Sequence, residues 1–186
     1  MSHIRAYGRL RITELPPEIE HPLSEEQLLR LVRAGAARIV GMASNKVVNL
    51  GVEIITKMIG SARGSSVTVG GTAITSVNDL QIAKMKLGDK ANPTAPAAGD
   101  TALDDPTPIF TISTLTVSYP TLTSVRISGV LPANQINGAQ LTEEGIFISI
   151  PPTPTEKLFA KLVYATKVIG SGQAYQFDHD IAIAAT

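Results

Sequence analysis

The chain has 186 residues, of which 17% are charged, against about a quarter in an average globular domain. Sixteen Lys and Arg balance sixteen Asp and Glu, so no global charge attracts nucleic acid or an anionic membrane. The lack of Cys excludes disulfides, thiolate metal sites and a thiol nucleophile. The length and composition therefore favour one globular domain, or one domain with an appendage, that has a largely uncharged polar surface.

Residues 1–22 are rich in arginine at their start and in proline toward their end. Arg5, Arg9 and Arg11 interrupt the first dozen residues, which argues against a secretory signal. Proline restricts its own φ and keeps the preceding residue extended. We therefore predict an extended docking arm over residues 1–22.

Two helices are expected in the next segment, residues 23–63. Ser24 and Gln27 have the spacing of a capping box, and apolar residues then recur at helical spacing to about Ala37. A second helical pattern begins near Ser44 or Asn45 and ends at Gly60, a natural C-terminal stop.

Beyond residue 63 the apolar period changes to two, which predicts strands. They are expected at residues 66–69, 80–87, 109–119, 124–131, 145–150, 157–164 and 175–183. The phase slips within residues 109–119, as a β-bulge would produce. The predicted fold is α+β: an N-terminal extended arm and two helices, followed by a mainly antiparallel β-sandwich over residues 64–186.

Charge is divided unevenly along the chain. Residues 1–63 hold nine basic and six acidic residues, and residues 64–186 hold seven basic and ten acidic residues, a difference of +3 against −3. This favours an interface in the N-terminal part, with a solvated helix face as the alternative. The candidate interface residues are Arg5, Tyr7, Arg9, Arg11, Leu28, Leu31 and Arg33.

An uncharged surface is expected farther along the chain. Residues 106–142 carry Arg126 as their only charge and are rich in Thr and Ser. Their outward hydroxyls either face solvent or are covered by other subunits, because charges are depleted in the cores of interfaces.

No catalytic or metal-binding pattern is found. Asp178, His179 and Asp180 lie on a predicted strand, which places both carboxylates on one face and the imidazole on the other. Glu143 and Glu144 are adjacent and point apart in extended chain, so they do not form a glycosidase pair. We expect no enzyme activity, no metal and no cofactor.

Three segments together carry a resemblance to a known group of proteins. They are NKVVNLG at residues 45–51 with the apolar pattern that follows, LGDKANPTAPAAGDTAL at 87–103, and LTEEGIF at 141–147 followed by EKLFAK at 156–161. They resemble the small tail-fibre-like or collar-like structural proteins of tailed bacteriophages. The similarity spans residues 45 to about 183 and departs from the common pattern at Asp89 and Lys90.

The residues matching the group's strand end, loop and turn are Leu87, Gly88, Pro96, Asp100, Thr101, Leu103, Glu143, Gly145, Ile146 and Phe147. The resemblance implies a non-enzymatic virion protein at the collar, neck or tail. Its partners would be copies of itself and other phage neck or tail proteins, with no nucleic acid and no membrane. Alternative hypotheses are a capsid decoration protein, a tail-fibre adaptor, or a receptor- or carbohydrate-binding module.

Overall fold

The structure is a computed structural model, and it describes residues 4–47, 67–69, 72–74, 81–121, 123–150 and 155–185. Within these ranges the chain forms one helix, α1 (Glu25–Arg33), and eleven strands. The strands are β1 (Ile4–Leu15), β2 (Arg38–Val47), β3 (Val67–Val69), β4 (Thr72–Ile74), β5 (Gln81–Gly88), β6 (Phe110–Ile112), β7 (Leu115–Thr121), β8 (Ser124–Leu131), β9 (Gln140–Ile150), β10 (Thr155–Val168) and β11 (Ala174–Ala185).

Nine strands form one antiparallel sheet in the order β6-β5-β9-β10-β2-β1-β11-β8-β7, and β3 and β4 form a separate hairpin. Strands β6 and β7 follow each other in the chain but lie at opposite ends of this order. A Cβ on Gly129 of β8 would lie within 3.0 Å of both Ile112 and Leu115, so the two ends of the sheet approach each other there. The sheet therefore folds over on itself and encloses one core.

The core is built from the period-two alternation of long strands. Its buried side chains come from β1, β5, β6, β8, β9, β10 and β11, and include Leu10, Leu87, Ile127, Ile146, Leu162 and Phe177. A second, smaller cluster contains Leu15 and Leu28 and holds α1 against the outside of the sheet.

The prediction of an extended N-terminal arm is wrong. Residues 4–15 form β1, which pairs with β11 on one side and with β2 on the other. The side chains of Leu10 and Ile12 lie in the core, whereas that of Arg9, which precedes Leu10, is exposed. The alternation of arginine with apolar residues was a strand signal, and the nearby prolines only end the strand after Leu15.

The two-helix part of the predicted fold class is also wrong. The first helix is confirmed, with Ser24 as N-cap and a complete capping box, but it ends at Arg33, earlier than Ala37. Gly35, with φ of +72°, lies in the left-handed region that ends helices. Where a second helix was expected to begin, residues 44–47 belong to β2, and residues 48–60 lie outside the described residues. Over the described residues the fold is mainly β, with one short helix.

The phase slip within residues 109–119 has a different origin from the predicted bulge. Met85 of β5 is opposite Ile112, whereas Gly129 of β8 is opposite Leu115. The chain thus leaves one end of the sheet and joins the other.

Among the described residues, no helix has both the length and the apolar character needed to cross a membrane.

Candidate functional site

The most elaborate polar site fastens the segment between β5 and β6, residues 89–109, which we call the docked loop. The fully buried carboxylate of Glu143 on β9 accepts hydrogen bonds from two loop backbone N–H groups, Asp105 at 2.6 Å and Asp104 at 3.0 Å. Asp105 in turn accepts from the backbone of Asp89 and Thr107. The loop is therefore held at both of its ends.

A buried lysine completes this attachment. The Lys161 side chain on β10 is fully buried, and its Nζ lies 2.7 Å from Asp104, 3.5 Å from Asp100 and 3.9 Å from Glu143. Burial lowers the pKa of Lys161, but the Asp104 hydrogen bond and the surrounding carboxylates outweigh this effect and raise the pKa above its usual value. We call Lys161, Asp100, Asp104 and Glu143 the loop clamp.

The loop clamp also acts on its acidic members. Hydrogen bonds from Lys161 and then from Thr94 lower the pKa of Asp104 to about 2. The Asp104 carboxylate is therefore ionised throughout the physiological range and remains an acceptor for both groups.

Apolar contacts lie beside the loop clamp. Leu103 of the docked loop packs with Phe147 and Leu158 in a separate buried cluster. A Cβ on Gly145 would come within 2.9 Å of Leu158 and 3.0 Å of Leu103 and Phe147. A Cβ on Gly88 would come within 2.8 Å of Glu143. Because neither glycine has a Cβ, the side chains of the docked loop and of the loop clamp can occupy the space next to them.

The structure thus brings together most of the residues that carried the phage resemblance. Those in or beside the docked loop's attachment are Leu87, Gly88, Asp100, Leu103, Glu143, Gly145 and Phe147. Pro96 lies farther out, half-buried, in the loop itself. Of the segment at residues 45–51, only 45–47 are described, as the end of β2.

A second polar cluster, the helix clamp, ties α1 to the outer face of the sheet. Arg11 on β1 contacts Asp178 on β11 at 2.7 Å and Glu25 on α1 at 2.7 Å. Arg126 on β8 contacts Asp180 on β11 at 2.6 Å and also Glu25. Hydrogen bonding from Arg11 is the main cause that lowers the pKa of Glu25 to about 2.

One glutamine strengthens this attachment. The Gln176 side chain, fully buried, accepts from the backbone N–H of Leu23 at 2.7 Å and donates to its carbonyl at 3.0 Å. The chain entering α1 is thereby bonded to β11 much as a neighbouring strand would be.

The predicted interface residues lie in different environments. Arg11 is used in the helix clamp, Leu28 is buried, and Leu31 packs against the same small cluster. Of the five residues whose side chains are described, Arg9 and Arg33 are exposed. For the other two, the structure describes only the backbone: Arg5 is opposite Ala184 and Tyr7 opposite Ala182 in the β1–β11 ladder.

The opposite orientations expected along β11 and β9 occur, and they produce a contact that the sequence did not predict. Asp178 and Asp180 face the helix clamp, while His179 turns into the core. There its Nδ1 lies 2.8 Å from Oε1 of Glu144 on β9, and both side chains are fully buried. Strands β9 and β11 are not neighbours, so this pair crosses the core.

The buried pair leaves one acceptor unused and influences a tyrosine. Oε2 of Glu144 has no hydrogen-bond partner among the described residues. Burial, with the nearby charges of Glu144 and Glu143, raises the pKa of Tyr164 well above its usual value. Only the tertiary fold reveals this arrangement, since the two partners are 35 residues apart.

A cavity of about 610 Å³ lies between the start of α1 and the outer faces of β7 and β8, and we call it the groove. Its walls are largely uncharged and comprise Pro22, Leu23, Ser24, Gln27, Thr116, Ser118, Tyr119, Pro120 and Ser128, with Glu25 and Arg126. Tyr119 is 78% exposed at its edge.

Within the described ranges, no three His, Asp or Glu side chains are grouped so that they could hold a metal ion. Comparisons of the chain with protein-family models, with curated proteins and with solved structures found no match.

Proposed function

We propose that this chain is a non-enzymatic structural protein of a tailed-bacteriophage virion, a component of the collar, neck or tail that is used in several copies. The observation that carries the proposal is the meeting of the resembling segments at the docked loop. Residues of the segment 87–103 contact residues of the segments 141–147 and 156–161 there: Gly88 lies against Glu143, and Leu103 packs with Phe147 and Leu158. A shared set of packing positions explains why these residues resemble the phage group together.

The state of the charged groups also supports a structural role. In the loop clamp and the helix clamp, lysine and arginine side chains are paired with carboxylates, and this includes Glu25 and Arg126 at the wall of the groove. Such clusters fix one geometry.

An uncharged strand supports use in several copies. Strand β7 contains no charged residue, and six of its seven positions are exposed, including Val117 and Tyr119. An exposed surface without charge can be buried against another subunit without desolvating ions. The segment that was expected to be a docking arm instead forms β1 in the interior of the sheet. Contacts between copies would therefore use other surfaces.

The proposal is tested by electron microscopy of phage particles labelled with a gold-conjugated antibody against this chain. The proposal expects label at the head–tail junction or along the tail, and antibody preabsorbed with the purified chain is the control. Label over the capsid would favour the decoration protein, and particles without specific label would refute the virion assignment.

A further inference from the structure

The tip of the docked loop is a short proline-containing segment with no charge. Residues 91–99 read ANPTAPAAG, in which Pro93 and Pro96 have the P-x-x-P spacing. Proline fixes its own φ and keeps the preceding residue extended, so this spacing favours a polyproline-like backbone. Ala95 and Ala97 are exposed beside the prolines.

The tip is held in place by the loop's own carboxylates. Oδ2 of Asp104 accepts from the hydroxyl of Thr94 at 2.6 Å and from its backbone N–H, and Asp100 accepts from the N–H of Ala97 at 3.0 Å. Asp104 and Asp100 are themselves paired with Lys161. Most of the conformational entropy of the tip is therefore already lost when the chain folds, so a partner that binds the tip does not have to order it.

The lining of the groove is suited to an uncharged, proline-containing segment. One aromatic side chain, Tyr119, and two prolines, Pro22 and Pro120, line it, with the hydroxyl groups of Thr116 and Ser118 beside them. Its two charged residues, Glu25 and Arg126, are paired with each other. Grooves lined by aromatic residues are the usual receptors of P-x-x-P segments, and the volume lies within the range of about 300 to 1,000 Å³ found for binding sites.

We infer that the P-x-x-P tip of one copy binds in the groove of a second copy. None of residues 91–99 is among the lining residues of the groove, so the tip does not occupy the groove of its own copy. The contact is therefore made between molecules. This inference rests on the repeated use of the chain in the proposed function, and it names the two surfaces that would meet.

A contact between two different surfaces is heterologous, so it forms rings where the rotation closes and filaments where it does not. A symmetric pairing of two β7 edges is less suitable. The β7–β8 register breaks between Ser118 and Thr121, and Pro120 has no N–H to donate to another strand. A loop-to-groove contact does not need that edge.

The association is measured on the full chain by native mass spectrometry and by light scattering over a range of concentrations. Tyr119→Ala removes the aromatic wall of the groove, and Pro93→Ala/Pro96→Ala removes the restraint in the tip. Each variant should weaken association by at least about tenfold, the loss typical of an interface hot spot. Met42→Ala, at a side chain that is 69% exposed on β2, is the matched control and should associate as the wild type does.

Mixing the two defective variants tests the arrangement itself. Tyr119→Ala retains an intact tip and Pro93→Ala/Pro96→Ala retains an intact groove, so an equimolar mixture should form a complex of one copy of each. A wild-type chain that stays monomeric, variants that assemble normally, or a mixture without the mixed dimer would overturn the inference.

Failure of this inference can be distinguished from failure of the proposed function. A mixed dimer formed by a chain that labels no phage particle would leave the loop-to-groove contact standing and remove the virion role. Labelled particles together with a mixture that does not associate would do the reverse.

Discussion

The loop clamp and the helix clamp are built from the same kinds of groups but in different surroundings. In the loop clamp, Lys161 and Glu143 are both fully buried. In the helix clamp, Asp178 on the sheet is buried, but Arg11 and Arg126 keep 17% of their side-chain surface exposed and Glu25, the member on the helix, keeps 43%. Removing one partner of a buried ion pair leaves an uncompensated charge, whereas water replaces a lost partner at the surface. The docked loop is thus the more firmly fixed of the two attachments.

The largest effect is expected for Lys161→Met. It leaves the buried Glu143 without its compensating charge, so the free energy of unfolding should fall by about 3 to 5 kcal/mol. Urea denaturation measures this change. Lys167→Met is the matched control, because Lys167 lies on the same strand, 4.0 Å from Glu14, and is partly exposed. A loss below about 1 kcal/mol for Lys161→Met would mean that the loop clamp contributes little.

Gly145→Ala should have the next largest effect, because its Cβ would clash with Leu103, Phe147 and Leu158. Overpacking of this kind typically costs about 1 to 3 kcal/mol. The thermal midpoint of the variant should fall accordingly. Gly99→Ala, where a Cβ would meet nothing within 4 Å, should leave the midpoint within error of the wild type. Equal midpoints for both variants would show that the loop is not packed at Gly145.

On the helix side, Ser24→Ala should destabilise the protein by about 1 kcal/mol, because it removes the N-cap acceptor of α1. The hydroxyl of Ser24 accepts from the N–H of Gln27 at 3.3 Å. Chemical denaturation checks the value. Ser24→Asp retains an N-cap acceptor and should recover most of the loss, and a failure to do so would assign the effect to something other than capping.

The smallest effect is expected for Glu25→Gln, a loss of about 0.2 to 1 kcal/mol that decreases at high salt. The pKa of Glu25 is lowered in the folded state from its usual 4.5 to about 2. Its stabilising contribution is therefore complete above about pH 4.5 and is lost as the pH falls toward 2. Denaturation of both proteins across this range should show the difference shrinking with acid. Glu26→Gln, in an exposed pair with Arg30, is the control.

Local signals in the sequence predicted local features well. The strand at residues 124–131 has the bounds that were expected, and the capping box at Ser24 begins α1 as expected. The alternation along residues 178–180 correctly separated the two carboxylates from the imidazole. Each of these depends on the spacing of neighbouring residues alone.

Features that depend on distant partners were missed. Strand β1 belongs to the sheet because β11, from the other end of the chain, pairs with it. The burial of Glu143 depends on backbone groups 38 and 39 residues away. One signal was available in β10, where Leu158, Phe159, Lys161 and Leu162 are all buried. Leu158 and Lys161 face the docked loop, whereas Phe159 and Leu162 belong to the core, with a register shift between Leu158 and Ala160. A strand with apolar residues on both faces is covered on both sides, here partly by the docked loop.

The contrast between the two clamps is tested most directly by amide hydrogen exchange of the whole chain, at low salt and at about 1 M salt, where screening is strong. The N–H groups of Asp104 and Asp105 donate to the buried Glu143, so they should exchange slowly and be unaffected by salt. Amides of α1 should exchange faster, and salt should accelerate them further. Rapid exchange at Asp104 and Asp105, or exchange there that salt accelerates as it does in α1, would contradict the buried attachment of the docked loop.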